Sequence, residues 1–275
     1  MKQRLYANPI VGRTGLGNML FPWARAEVFC KQTGAKMLAP QWVNLFRIGP
    51  WIRFERDKRY YFASFTNRGY IGGLRRQVLL RLAGHCSESE AARREGTAAP
   101  WPGRIVDFAG MEGYFSSFLG NQPFIKERLL AITSPAIRTV LEQAGGDPFL
   151  GVHIRRGDFQ QGGYVIDDAW YVRAIERALS DLGAQGHGIG IRVFSDAHPD
   201  ALHFICRAFS KVTVMPCAPA LQDLLCLSQA QAVVGTNRST FSMWAVFLGQ
   251  MPSYWCSTEI PPALSLPQSA TVVVE

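Results

Sequence analysis

Residues 191–248 read IRVFSDAHPDALHFICRAFSKVTVMPCAPALQDLLCLSQAQAVVGTNRSTFSMWAVFL. Short apolar runs alternate here with longer amphipathic ones. Ile191–Ser195, Lys211–Met215 and Ala232–Gly235 are rich in Val, Ile and Phe, as strands buried on both faces are. Between and after them, Asp200–Phe209, Leu221–Ala230 and Thr240–Leu248 repeat apolar residues every three or four positions, which is the period of one buried helix face. Strands separated by helices of this length predict βαβ units and a parallel sheet.

Working outward, the same alternation continues upstream. Phe149–Ile154 is a short apolar strand, and Ala169–Leu182 is a helix that stops before Gly183. Pro123–Gln143 is helical in pattern, with a break expected at Pro135. At the other end of the chain, Leu5–Val11 reads as a strand running into a glycine turn. Leu20, Phe21, Ala24, Val28 and Phe29 then mark a helix, Gly34 supplies its left-handed stop, and Lys36–Ala39 is a second strand. Residues 40–110 lack clear periodicity. Leu74–Ala83 is predicted as a basic amphipathic helix, and Ser87–Pro102 as a loop. The chain therefore reads as α/β, with two parallel-sheet domains spanning 1–135 and 136–275 and a boundary within 120–148.

Composition narrows the function classes. Apolar residues make up 48% and charged residues 18% of the 275, which excludes a disordered chain. No run of about 18 apolar residues predicts a membrane-crossing helix, and the basic start MKQRL is not followed by the apolar core of a signal peptide. The six cysteines form no C-x-x-C pair, which suggests free thiols in a cytoplasmic protein. Cys206 and Cys226 fall in apolar helical patterns and are expected to be buried. The formal charge is +8, concentrated between Arg47 and Arg104, where 12 Lys/Arg face 5 Asp/Glu. Trp51, Phe54, Tyr60, Tyr61, Phe62, Phe65 and Tyr70 are interleaved there. Such a stretch suits nucleic acid, anionic lipid or an anionic sugar, or is a plain solvated face. No nucleic-acid-binding motif accompanies it, so nucleic acid is not the expected partner.

Ligands of open parallel sheets bind beyond the carboxyl ends of the strands, so the residues just after each strand are the candidates. Gly15-Leu16-Gly17-Asn18 lets a ligand approach the backbone at a helix N-terminus. Its spacing is neither a dinucleotide fingerprint nor a P-loop, and a structural turn is the competing reading. His153-Ile154-Arg155-Arg156-Gly157-Asp158-Phe159 carries two arginines off the end of a buried strand. A guanidinium holds phosphate oxygens bidentately, and Asp158 can anchor an arginine or act as a base. Gly235-Thr236-Asn237-Arg238-Ser239-Thr240-Phe241-Ser242 leads from a strand into a helix, and its hydroxyls and amides suit a helix cap or a phosphate. Asp196, after Phe194-Ser195, can cap the next helix or accept from a ribose or base. Asp167-Asp168 is read as a helix cap and first-turn acid. There is no D-x-D triplet to hold a cation on a diphosphate. Arginines and helix N-termini can neutralise such a leaving group instead.

These clusters resemble the bacterial α-1,2-fucosyltransferases of glycosyltransferase family 11. That family's G-L-G-N-Q-[LM]-F-Q-Y-A corresponds to Gly15–Ala24, and its H-x-R-R-G-D-[YF] stands intact at His153–Phe159. F-S-D-D becomes Phe194-Ser195-Asp196-Ala197. N-S-T-F-S-W-W becomes Asn237–Trp244, with Arg238 inserted and Met243 in place of a Trp. Gly113-Tyr114-Phe115-Ser116-Ser117 is similar to G-Y-[FW]-Q-S. The resemblance spans residues 5–250 and implies a GT-B-like pair of Rossmann-like domains, the C-terminal one holding the nucleotide and the N-terminal one lying on the acceptor side. It implies transfer from GDP-fucose to the 2-hydroxyl of a terminal β-galactoside in an oligosaccharide or O-antigen, with inversion, no cofactor and no divalent metal. Catalysis would fall to Arg155 and Asp158. Donor binding would fall to Gly15, Gly17, Asn18, His153, Arg156, Asp196, Asn237, Ser239, Thr240 and Phe241, with Arg156 supporting its loop. Met19, Pro22 and Ala197 depart from the family pattern, and are expected to bear on acceptor and donor choice. The basic stretch would hold the enzyme peripherally on the inner membrane. The competing readings are a related enzyme using another nucleotide sugar and a non-enzymatic basic binding protein.

Overall fold

The computed structural model of the protein describes residues 4–12, 14–42, 61, 63–94, 103–144, 146–156, 165–183, 188–256 and 271–274. They fall into two compact units that divide between Ser134 and Pro135. Asp158, with Gly157 and Phe159 of its motif, and residues 47–60 of the basic stretch lie outside the described residues.

The first unit is a four-stranded parallel sheet ordered β2-β1-β4-β3, made of β1 Tyr6–Ile10, β2 Lys36–Met37, β3 His85–Ser87 and β4 Ile105–Ala109. Helix α1, Leu16–Thr33, follows β1 as expected and ends at Gly34, whose φ of 73° is the left-handed stop. Helix α2, Gly73–Leu82, matches the predicted amphipathic helix. The stretch read as a loop from Ser87 contains more structure than that. Ser87 closes β3 and caps a short helix, α3, Glu88–Ala92, through a capping box in which Glu90 answers the Ser87 amide. The S-x-x-E spacing that specifies such a box was present in the sequence. The unit ends with α4, Gln122–Ile132.

The second unit opens with α5, Pro135–Ala144, so Pro135 is the break expected of it. Its parallel sheet has six strands ordered β10-β9-β8-β5-β6-β7: β5 Phe149–Ile154, β6 Gly190–Ser195, β7 Val212–Val214, β8 Ala232–Val234, β9 Ser253–Trp255 and β10 Thr271–Val273. The helices are α6 Asp168–Asp181, α7 His203–Ala208, α8 Ala220–Leu227 and α9 Thr240–Gly249. A 3-10 turn over Pro199–Leu202 occupies the first part of the helix predicted from Asp200. β5 is central and buried at every position, packed between β6 and β8. Leu150, Val152, Ile154, Val193 and Val234 form the core with Trp170, Ala174 and Ile175 of α6. The two β-strands beyond residue 250 were not anticipated. Their short runs lack the flanking helical periodicity that marked the others.

One expectation about the core needs correction. Cys226 is buried, but Cys206 is exposed, because α7 has only Ile205 on its buried side. Met19 and Ala197 are buried in the apolar core, and Pro22 is buried inside α1. Among the described residues, no helix is long and apolar enough to cross a membrane.

Candidate functional site

The chain leaving β5 is pinned from both neighbouring strands, and this builds the site. On the β8 side, Gly235 comes first. A Cβ there would lie 2.5 Å from the ring of the fully buried Trp255, so only glycine lets β8 end against that indole. Thr236 follows, with no exposed surface. Its hydroxyl donates to the His153 carbonyl at 2.8 Å, accepts the Arg155 amide at 3.0 Å and lies 2.8 Å from the Tyr171 hydroxyl. Burial pushes the pKa of Tyr171 up, despite the hydrogen bond to Thr236, so the phenol keeps its proton and donates it. One proton given and two received exhaust a hydroxyl.

On the β6 side, Ser195 Oγ donates to the Ile154 carbonyl at 2.7 Å, and Asp196 accepts the Arg156 amide at 2.8 Å. Asp196 also meets the Arg155 guanidinium, Nη1 to Oδ2, at 3.1 Å. Asp196 is thus an anchor for both arginines. It does not cap the next element, whose N-cap is His198.

The two arginines diverge. Arg155 is partly exposed beside Asp196, its side chain 23% accessible. Arg156 is buried, gives Nη1 to the Ile166 carbonyl at 2.6 Å and Nη2 to the Asp168 carboxylate, and lies over the Tyr171 ring. Of the two, Arg156 therefore ties the turn to α6 and Arg155 is placed to meet a ligand. Asp168 is in the first turn of α6, as read, with this second partner that the sequence did not announce. Asp167 stands at the N-cap but makes no capping bond.

His153 is buried, stacked on Phe241 at 4.8 Å, with Nδ1 2.7 Å from Ser242 Oγ. Desolvation, then the Arg155 charge, push its pKa down to about 3, so the ring is neutral. Ser242 Oγ also accepts the Thr236 amide at 3.2 Å, so one hydroxyl ties the His153 ring to the start of the β8–α9 loop. Ser239 is the N-cap of α9 and is buried, yet its hydroxyl makes no capping bond. The Ser239 hydroxyl thus leaves the first turn of α9 uncapped from that position, at the end of the helix where an anion is favoured. Thr240 and Phe241 open that turn. Asn237 accepts the Cys256 amide at 2.9 Å, and so holds the loop to the end of β9.

The second unit thus brings together His153, Arg155, Asp196, Ser239, Thr240 and Phe241, and sets Arg156 and Asn237 in supporting positions. Gly15, Gly17 and Asn18 belong to the first unit, after β1. Gly15 has a φ of −69° and would meet nothing within 4 Å if it carried a Cβ, so neither dihedral nor crowding requires a glycine there. The adjacent Leu16 amide donates to the Tyr61 hydroxyl at 3.1 Å. Thr236, Ser242 and Tyr171 were missed as site residues. The signal for the first two was a pair of hydroxyls inside an apolar strand-to-helix passage; Tyr171 gave none.

Among solved structures the chain is similar to the fucosyltransferase NodZ from Bradyrhizobium, with a TM-score of 0.60 and 16% identity over 89% of this chain and 92% of that one. NodZ α-1,6-fucosyltransferase soaked with GDP-fucose gives 0.59 and 17% over 89% and 92%. The chain has their fold. POFUT1 in complex with GDP aligns at a TM-score of 0.52 and 12% identity, over 93% of this chain and 99% of that one. The GT-B-like α/β class expected from the sequence is the class of these structures. No protein-family model and no curated protein matches the sequence.

Proposed function

We propose that the protein transfers fucose from GDP-fucose to the 2-hydroxyl of a terminal β-galactoside, with inversion and without a divalent metal. The observation that carries this reading is Arg155 held at the carboxyl end of β5 beside the uncapped N-terminus of α9. A diphosphate would find a guanidinium fixed by Asp196 and the first-turn amides of α9 there. The H-x-R-R-G-D and S-T-F-S motifs fall on these elements, and a fold-mate, NodZ, was soaked with GDP-fucose.

In this reading Arg155 and the α9 amides stabilise the charge that develops on the GDP leaving group. His153, neutral, hydrogen-bonds the nucleotide through Nε2, and Phe241 keeps the ring in place. Asp196 fixes the Arg155 guanidinium. Asp158 is the candidate base for the acceptor hydroxyl. Gly15, Gly17 and Asn18 are proposed donor-binding residues on the resemblance alone. An acceptor on a growing O-antigen would be met at the inner leaflet, to which the chain's excess positive charge directs a cytoplasmic enzyme.

A second reading keeps the donor and changes the linkage, since NodZ is an α-1,6-fucosyltransferase. Incubation with GDP-fucose and galactosides blocked at the 2- or 6-hydroxyl separates the two. Transfer abolished only by the 2-block supports α-1,2, and transfer abolished only by the 6-block supports the second reading. Arg155→Ala is expected to abolish turnover; near-normal turnover would remove Arg155 from the mechanism.

A further inference from the structure

Helix α2 is apolar on two sides, and among the described residues only one side packs against the core. Leu79 and Leu80 pack toward Tyr6, Leu38 and Ile105 of the first sheet. On the other side, Leu74, Val78 and Leu82 recur every fourth residue and form one stripe, 80%, 45% and 82% exposed. At about 100° per residue, Arg75 and Arg81 flank Val78 by about 60° on either side, and both are exposed. No residue of this helix is buried.

The flanking sequence is basic. From Tyr61 to Ser87 the chain carries four arginines and no acidic residue. Arg76, on the inward side, has a buried Nε with no hydrogen-bond partner. It lines a groove of about 410 Å³ with Asn67 and Gln77.

We propose that α2 lies in the headgroup layer of an anionic phospholipid bilayer, with Leu74, Val78 and Leu82 inserted and Arg75 and Arg81 at the level of the phosphates. An interfacial helix needs an apolar stripe with cations at its margins. The alternatives fit less well. A second copy packed stripe to stripe would set Arg75 and Arg81 against the same arginines, with no acid on either helix to answer them. The inference stands whether or not the transferase reading holds.

The test is co-sedimentation of the full chain with vesicles of phosphatidylcholine alone or with 30% phosphatidylglycerol. Binding to the anionic vesicles and not to the neutral ones, reversed by high salt, is expected. Leu74→Gln/Val78→Gln/Leu82→Gln should weaken that binding by ~100-fold or more while leaving Tm unchanged. Arg75→Glu/Arg81→Glu should abolish it, and Arg75→Lys/Arg81→Lys should keep it. No binding, equal binding to both vesicles, or unaltered binding of the Gln variant would overturn the proposal. A lipid-free dimer that the Gln variant loses would assign the stripe to a second copy. A Tm lowered by several degrees in that variant would assign it to packing within the chain.

Discussion

Replacing Thr236 by valine removes one hydroxyl and almost no volume. Thr236 is fully buried, and so is Tyr171. Valine leaves the Arg155 amide and the Tyr171 hydroxyl facing carbon, and takes a donor from the His153 carbonyl. That carbonyl's residue still pairs with β6 in the ladder, at His153↔Phe194. The main loss is therefore two buried donors left unpaired, each costing about 1–3 kcal/mol. Burial of the new methyl returns about 1 kcal/mol, so Thr236→Val should destabilise the second unit by about 3 kcal/mol. Thr236→Ser keeps the hydroxyl and gives up one methyl, for about 1 kcal/mol. Urea denaturation of both variants gives the comparison, and hydrogen exchange at the Arg155 amide localises it. That amide should exchange about a hundredfold faster in the valine variant. If Thr236→Val stays within about 0.5 kcal/mol of the parent and the Arg155 amide keeps its protection, the hydroxyl is not what fixes the strand end.

Two histidines predict opposite pH dependences. The pKa of His153 lies at about 3, below the ordinary 6.5, so the unfolded chain takes up a proton that the folded chain refuses. Stability should therefore fall as pH drops below about 6.5, by at most about 1.4 kcal/mol per unit from this group. A His153→Gln variant should lose that part of the slope, and an unchanged acid profile would show that His153 protonates without cost. His85 behaves in reverse. Nδ1 meets the Asp107 carboxylate at 2.7 Å and Nε2 meets the Leu80 carbonyl at 3.0 Å, so both nitrogens face acceptors and the ring is held charged. Desolvation opposes this charge, but the hydrogen bonds to Asp107 and Leu80 outweigh it and raise the pKa. Its contribution is present at low pH and lost as pH rises through the raised pKa. NMR titration should find His85 above the ordinary histidine range, with the end of α2 loosening as it deprotonates. A midpoint at or below that range would refute the clasp.

The second sheet was legible because its strands are short, apolar and separated by helices with a clear period. β5 falls on Phe149–Ile154 in both the sequence reading and the structure. In the first unit, β3 and α3 were illegible for a physical reason: β3 is three residues long with only Cys86 buried, and α3 buries only Ala91. Elements that bury so little leave no period to read. In the site, the direction of each arginine could not be read from adjacency. Arg155 and Arg156 are neighbours, yet one is partly exposed and the other is fixed by the Ile166 carbonyl and Asp168. The role of Thr236 was hidden too, since a threonine after a strand reads equally well as a cap. Its three partners lie 81, 83 and 65 residues away along the chain.

The most direct test of the account is calorimetric titration of the full chain, in EDTA, with GDP, GDP-fucose, GDP-mannose and UDP-galactose. The account predicts that GDP and GDP-fucose bind, that the other two bind far more weakly, and that Arg155→Ala loses the binding. Binding of UDP-galactose or GDP-mannose in preference would contradict the donor assignment. Absence of nucleotide binding altogether would contradict the assignment of the β5–α9 site.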